Sequence, residues 1–221
     1  MNRGFSPDDA RRFYDRFGSK QDLQAFYENP AIDDLIAHAH FEHAMAVFEF
    51  GFGTGRLAER LLSRHLPHDA SYAGIDISTT MARLAGERLR PWHERAMVKV
   101  LDGTRGMDFT EHSFDRFVSV YVLDLLSPED IRRVLIDAYR ILVPEGRICL
   151  VSLTKGTTSW CRVVTRAWEF VYRRYPRLVG GCRPVELLKY LSPELWRIEH
   201  RNIVSAYGIA SEIVVASRPS S

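Results

Sequence analysis

Nine residues constrain this chain more than any other stretch: Val47-Phe48-Glu49-Phe50-Gly51-Phe52-Gly53-Thr54-Gly55. A short apolar strand reaches an acid, then turns through three glycines spaced two apart into a helical pattern. Glycine takes up positive φ without steric cost and lets a ligand lie against bare backbone. At a strand-to-helix turn, that freedom builds the nucleotide-binding edge of doubly wound sheets. The spacing here is Gly-x-Gly-x-Gly, not the Gly-x-Gly-x-x-Gly of dinucleotide sites. Glu49 adds a negative charge two residues before the first glycine, which suits a cationic ligand better than a pyrophosphate.

The surrounding pattern extends this reading. Strands at 46–50, 71–76, 97–101, 115–121 and 147–152 are interleaved with helices near 55–65, from Ser78 to about Leu89, and from the Ser127-Pro128-Glu129-Asp130 cap to Leu142. Such alternation predicts a parallel sheet covered by helices on both faces. The end of the chain differs: a helix at about 159–175, a short one after Arg183-Pro184, then strands at 196–205 and 210–217 joined by Tyr207-Gly208. Two consecutive strands with so tight a link pair antiparallel. Before the sheet, one helix opens at Ser6-Pro7-Asp8-Asp9 and ends at Gly18. A second runs from Gln21 to Glu28, and Asn29-Pro30 opens a third. The expectation is one domain over 1–221, with an N-terminal helical cap (1–44), a ligand-binding core (45–155), a helical insertion (156–194) and a C-terminal strand pair (195–221).

Composition enters mainly by exclusion. A chain of 221 residues can bury a full core in one domain, and a net charge of +2 gives no reason to expect nucleic acid. Cys149, Cys161 and Cys182 are odd in number and form no CxxC pair, which favours a reducing compartment and argues against structural zinc. Met1 to Phe5 lacks an apolar signal core, and no stretch approaches the roughly 20 apolar residues of a membrane span. A cytoplasmic protein is expected, with peripheral membrane contact left open. His38, His40 and His43 fall on different faces near a helix end, so they are expected to face solvent and no metal is expected.

Four motifs, in order, make the chain resemble class I S-adenosylmethionine-dependent methyltransferases of the small-molecule type. They are Glu49-Phe50-Gly51-Phe52-Gly53-Thr54-Gly55, similar to that family's E-x-G-x-G-T-G loop; Gly74-Ile75-Asp76-Ile77-Ser78; Asp102-Gly103; and Phe114-Asp115-Arg116-Phe117-Val118-Ser119, followed later by Arg140 to Gly146. The resemblance covers roughly 46–217 and implies a Rossmann-like seven-stranded sheet, five parallel strands plus a C-terminal antiparallel pair. It also implies S-adenosyl-L-methionine as cofactor and S-adenosyl-L-homocysteine as product.

Residue roles follow from the same resemblance. Gly51, Gly53 and Gly55 would carry the methionine portion, with Glu49 orienting the loop and the ammonium. Asp76 would accept both ribose hydroxyls, Asp102 the adenine amino group, and the Gly103 amide a ring nitrogen. Ile77 and Met81 would cover the adenine, and Tyr121 and Val122 would lie beside the sulfonium. Phe52 stands where the family has a small residue or cysteine, so its ring either packs away or narrows the pocket.

The acceptor side is less determined. Tyr121 and Asp124 are the candidate catalytic residues, Asp124 as a base or amine anchor. Tyr121-Val122-Leu123-Asp124 replaces the Asn/Asp-Pro-Pro-Tyr/Phe tetrapeptide of enzymes that methylate base or glutamine nitrogens, which argues against such substrates. Tyr14, Phe17 and Gln21 are expected to form a lid. Arg183, beside Gly180-Gly181, is the candidate clamp for an acceptor carboxylate or phosphate. A basic-aromatic helix at 159–177 is either a surface helix or a contact for anionic lipid. The function expected is methyl transfer to a small-molecule or lipid-related acceptor; the alternative is a non-catalytic or regulatory protein that keeps the cofactor pocket.

Overall fold

The computed structural model describes residues 7–101, 107–156, 161, 170, 174 and 181–220. The strands are β1 (Ala46–Phe50), β2 (Ser71–Asp76), β3 (Ala96–Val100), β4 (Phe114–Val120), β5 (Leu142–Leu153), β6 (Arg197–Ala206) and β7 (Ile209–Ser217). They form one sheet in the order β3-β2-β1-β4-β5-β7-β6. β1 to β5 pair in parallel, and β7 pairs antiparallel with both β5 and β6. This is the Rossmann-like α/β sheet expected. Strand order reverses between β1 and β4, the switch point at which such sheets open a crevice beyond their carboxyl ends.

Side chains alternate across the strands with period two, and each face meets its own helices. Phe48, Phe117, Ile148 and Val214 pack with Ile131, Leu135 and Ala138 of α5 (Pro128–Ile141). Val47, Val118, Cys149 and Val215 pack with Ile32 and Leu35 of α2 (Ala25–His38) and with Leu57 and Leu61 of α3 (Arg56–Arg64). Ser127 and Ser78 cap α5 and α4 (Thr79–Arg88), each side chain accepting the N–H of the residue three further on. Tyr207 and Gly208 both have positive φ (53° and 82°), as a two-residue turn between twisted antiparallel strands requires.

Three details depart from the sequence expectation. Asn29-Pro30 opens no third helix: Pro30 lies inside α2, whose apolar stripe Ala31, Ile32 and Leu35 outweighs one missing hydrogen bond. Pro184 starts no helix either. Val185 donates its N–H to the Leu153 carbonyl at 2.7 Å, holding the segment extended, and a 3-10 turn comes only at Leu187–Tyr190. The turn at Pro144-Glu145-Gly146 is a bulge within β5, where Phe114 pairs with Leu142 but Arg116 already pairs with Arg147. The helix expected at 159–175 falls mainly outside the described residues.

The N-terminal segment is tied down over the carboxyl end of β2. α1 (Pro7–Phe17) leads into a 3-10 stretch, Gly18–Gln24. Arg11 Nε donates to the Ile77 carbonyl at 3.2 Å, and Asp15 accepts from the Ser78 hydroxyl and the Thr80 N–H. Asp22 accepts from Thr54 at 2.6 Å and from Arg88 at 2.7 Å. At the other end of α2, the buried Arg116 guanidinium donates to the carbonyls of Ala39 and His40.

Candidate functional site

Gly51, Gly53 and Gly55 all hold positive φ, at 79°, 54° and 75°. The turn they make is pinned at both ends. The Gly51 N–H reaches the Ile75 carbonyl at 2.7 Å, and the Gly53 N–H reaches Asp76 Oδ2 at 2.9 Å. A Cβ on Gly51 would strike the Val122 side chain, and one on Gly53 would meet the Gln21 amide at 2.8 Å. Gly55 forms the N-cap of α3 and lies against Ala85.

This turn floors a cavity of about 230 Å³ at the switch point. Asp76, Ile77 and Met81 come from β2 and the start of α4, Leu101 from beyond β3, and Tyr121, Val122 and Leu126 from beyond β4. Ala10, Tyr14 and Gln21 reach it from the N-terminal segment. A smaller cavity of about 50 Å³ continues past Gly51, with Glu28, Glu49, Thr54, Arg56 and Asp22 in its wall. An apolar chamber thus adjoins a polar, charged one, with Gln21, Gly51, Val120 and Tyr121 lining both.

The charged groups are strongly perturbed by their setting. Glu49 is buried and accepts the Tyr72 hydroxyl at 2.6 Å; burial pushes its pKa up to about 7 against that bond. Glu28 is also pushed up to about 7 by burial, although Arg56 donates to it at 2.7 Å. Asp76 has Oδ1 on the Ser78 N–H at 2.9 Å and Oδ2 on Gly53, and burial raises its pKa while those amides oppose the rise. Gln21 Oε1 is buried with no hydrogen-bond partner.

At the β4 end, Tyr121 holds φ of 55°, a conformation uncommon for a residue with a side chain. Its hydroxyl pairs with Ser211 Oγ at 2.7 Å, and the Tyr27 ring meets it edge-on at 5.9 Å. Asp124, just behind, is fully buried, and neither carboxyl oxygen finds a hydrogen-bond partner. Burial pushes it up to about 7 against the pull of Arg183, with Glu28 adding to the rise. Burial also raises Tyr14, Tyr27 and Cys182, each further raised by the Asp124 charge.

The comparisons with known proteins agree with this geometry. A family model described as a methyltransferase domain matches residues 47–146, from β1 to the bulge in β5. That match puts a methyltransferase-like domain across the glycine turn and the cavity, and the solved structures share its fold. A tRNA N(3)-methylcytidine methyltransferase of Drosophila melanogaster is 28% identical over 148 residues, which is 62% of this chain and 46% of that protein. A demethylmenaquinone methyltransferase of Lactobacillus johnsonii is 26% identical over 144 residues, 63% of this chain and 56% of that protein. The chain therefore spans about half the length of these relatives. A geranyl diphosphate C-methyltransferase from Streptomyces coelicolor A3(2), solved with Mg2+, geranyl diphosphate and S-adenosyl-L-homocysteine, shares the fold at a TM-score of 0.68, with 11% identity and 96% and 97% of the two chains covered.

The residues present fit S-adenosylmethionine, the cofactor that the resemblance to methyltransferases implies. The bare glycine turn is a cradle that any Cβ would fill, and each Asp76 oxygen, after one backbone bond, retains a lone pair for a ribose hydroxyl. The orphan Gln21 oxygen and the buried Glu49 both line the smaller cavity and would offer acceptors to an ammonium.

The structure brings most of the expected residues together. Gly51, Gly53, Asp76, Ile77, Met81, Tyr121, Val122, Tyr14 and Gln21 line the larger cavity; Glu49 and Phe52 line the smaller. The Phe52 ring is buried with Met81 and Ala85 and passes over Gly74. Phe17 lines neither cavity and stacks on Phe13 at 5.4 Å. Asp124 lies behind the wall rather than in it. The Arg183 guanidinium donates to the Leu126 carbonyl at 2.7 Å, and its N–H to the Asp124 carbonyl at 3.0 Å, so it braces the loop after β4. Asp102 and Gly103 lie outside the described residues.

Glu28, Arg56 and Tyr27 were missed from the sequence. Glu28 gave a readable signal, an acid one turn before Ile32 and two before Leu35 on the buried stripe of α2. Tyr27 and Arg56 gave none, because only the fold brings α2 over the start of α3.

Proposed function

We propose that this methyltransferase acts on a small-molecule or lipid-related acceptor bound between the N-terminal segment and the loop after β4. One observation carries the reading: α1 and the 3-10 stretch roof the cavity and are clasped to β2, α4 and the glycine turn through Arg11, Asp15 and Asp22. A covered pocket with an apolar wall and few polar groups is built for a small ligand rather than a polymer.

S-adenosylmethionine, when bound, supplies an electrophilic methyl on a sulfonium. The chain's part is to align the nucleophile with it and exclude water. Gly51, Gly53, Gly55 and Glu49 hold the amino-acid portion, Asp76 the ribose, and Ile77 and Met81 the adenine face, with Asp102 and Gly103 assigned the adenine edge. Tyr14, Gln21 and Val122 wall the sulfonium side, and Phe17 supports that wall through Phe13. Tyr121 shapes the acceptor entrance. Asp124, raised to about 7 behind the cavity wall, is the candidate base or amine anchor, and that role requires the loop after β4 to bring it into the cavity. Arg183 positions Asp124 and keeps donors for an acidic group on the acceptor.

The proposal keeps a single-domain organisation with the boundaries 1–44, 45–155, 156–194 and 195–221, and a cytoplasmic location in keeping with Cys149, Cys161 and Cys182 forming no disulfide among the described residues. Among the described residues, no helix is long and apolar enough to cross a membrane. Peripheral contact through 159–177 stays part of the proposal, and flotation with anionic vesicles tests it.

The reading is tested by supplying methyl-labelled S-adenosylmethionine with a low-molecular-weight extract, a lipid extract, or bulk tRNA. Label is expected in one of the first two. Label confined to tRNA overturns the acceptor class, and tight cofactor binding without transfer to any of them favours a regulatory protein.

A further inference from the structure

Asp34 and His38 sit one turn apart on α2, and β6 brings His200 beside them, 166 residues on from Asp34. One ligand atom from each lies within 4.8 Å of the other two, the only such group among the described residues. His200 Nε2 donates to Asp34 Oδ2 at 2.7 Å, and Asn202 Nδ2 donates to Asp34 Oδ1 at 3.2 Å. His38 Nδ1 donates to the Asp34 carbonyl at 2.8 Å and lies 3.8 Å from Asp34 Oδ1. The two imidazoles stack at 3.6 Å with planes 4° apart. Asp34 and His200 are 17% and 19% exposed, and His38 is 45% exposed.

The geometry points to a three-ligand site for a divalent transition-metal ion, formed by Asp34, His38 and His200 and bridging α2 to β6. The cluster brings two imidazole rings and a carboxylate together from two elements of the fold. Two nitrogens and one carboxylate oxygen suit zinc, nickel or copper better than magnesium or calcium. Three protein ligands leave a position for solvent, which the exposed His38 edge admits. Binding replaces the two N–H bonds that now point at Asp34, and each neutral ring then carries its proton on its other nitrogen. Asn202 remains on the second Asp34 oxygen and orients the carboxylate.

His40 and His43 are not part of this group. They lie beyond α2 around Glu42, at 3.2 and 3.8 Å from its carboxylate. An ion at the three-ligand site would pin α2 to the edge of the sheet. The first turn of that helix carries Tyr27 and Glu28 beside the cofactor cavity, so the ion would stiffen the roof of the pocket from behind.

Titration calorimetry of the metal-stripped chain with Zn2+ and Ni2+ alone, with thermal melts alongside, tests the site. One equivalent is expected to bind at low micromolar or better and to raise Tm. His38→Ala, His200→Ala and Asp34→Asn should each weaken that binding by about tenfold or more, and Asn202→Ala by less. The double variant His40→Ala/His43→Ala should leave it unchanged. Co2+ should give visible d–d bands in the parent that are absent in His200→Ala. Absence of stoichiometric binding by the parent, or binding that survives His38→Ala and His200→Ala in variants with the parent circular dichroism spectrum, overturns the proposal.

Discussion

Two crossings lie side by side at the carboxyl edge of the sheet and reach the same backbone conformation by different means. After β1, three glycines take positive φ. After β4, Tyr121 takes φ of 55° although it has a side chain to accommodate. The first crossing needs no help, because glycine populates that region freely. The second is strained by about 1–3 kcal/mol and persists only because surrounding contacts hold it: Ser211 on the hydroxyl, Tyr27 against the ring, and Arg183 bracing the following loop. The cofactor side is therefore encoded locally, and the acceptor side by tertiary contacts.

The largest test of this contrast lies at Asp124. Its folded pKa, near 7, is above its ordinary value, so the unfolded chain loses the proton first as pH rises. Between about pH 4 and pH 7 the native state holds more protons, and stability falls with rising pH by up to about 4 kcal/mol from this group. Asp124→Asn should remove that slope in urea titrations at several pH values. An unchanged slope would mean that burial at the β4 crossing is not what holds the carboxyl neutral.

Next is Gly53→Val, which places a β-branched side chain at φ of 54° and against Gln21. Cofactor affinity should fall at least about 100-fold, roughly 3 kcal/mol, measured by calorimetry with S-adenosylhomocysteine. Gly51→Ala should destabilise the fold by about 2 kcal/mol through positive φ and the clash with Val122. Because that clash links the two crossings directly, adding Val122→Ala should recover part of the loss. The coupling in a double-mutant cycle should be about 1 kcal/mol. Simple additivity would separate the crossings energetically.

The smallest effect is Tyr121→Phe. It keeps the ring but leaves the buried Ser211 hydroxyl without its partner, at a cost of about 1 kcal/mol in thermal or urea unfolding. Cofactor affinity should hardly change, since the glycine turn does not depend on that bond.

The same contrast explains what was legible in the sequence. β1, β2 and the glycine turn follow from local rules: strand periodicity, glycine at positive φ, and an acid at a strand end. Ser78 and Ser127 were readable as caps because capping is a short-range hydrogen bond. Pro30 misled because proline's local penalty was outweighed by the buried stripe of α2, a tertiary effect. Arg183 looked like a free clamp next to paired glycines, yet its partners are carbonyls near 124–126, distant in sequence. Tyr27, Glu28 and Arg56 meet only because α2 folds over α3. His200 joins Asp34 and His38 for the same reason, out of reach of the spacing of His38, His40 and His43.

The central claim is that a carboxylate at the tip of β2 and the bare turn after β1 together hold S-adenosylmethionine. Calorimetry of S-adenosylhomocysteine with the parent and with Asp76→Ala tests it most directly. The account predicts one site in the parent, weakened by about tenfold or more in a folded Asp76→Ala variant, because hydrogen bonds to a charged carboxylate contribute about 1.5–3 kcal/mol. Equal affinity in the two proteins would contradict it.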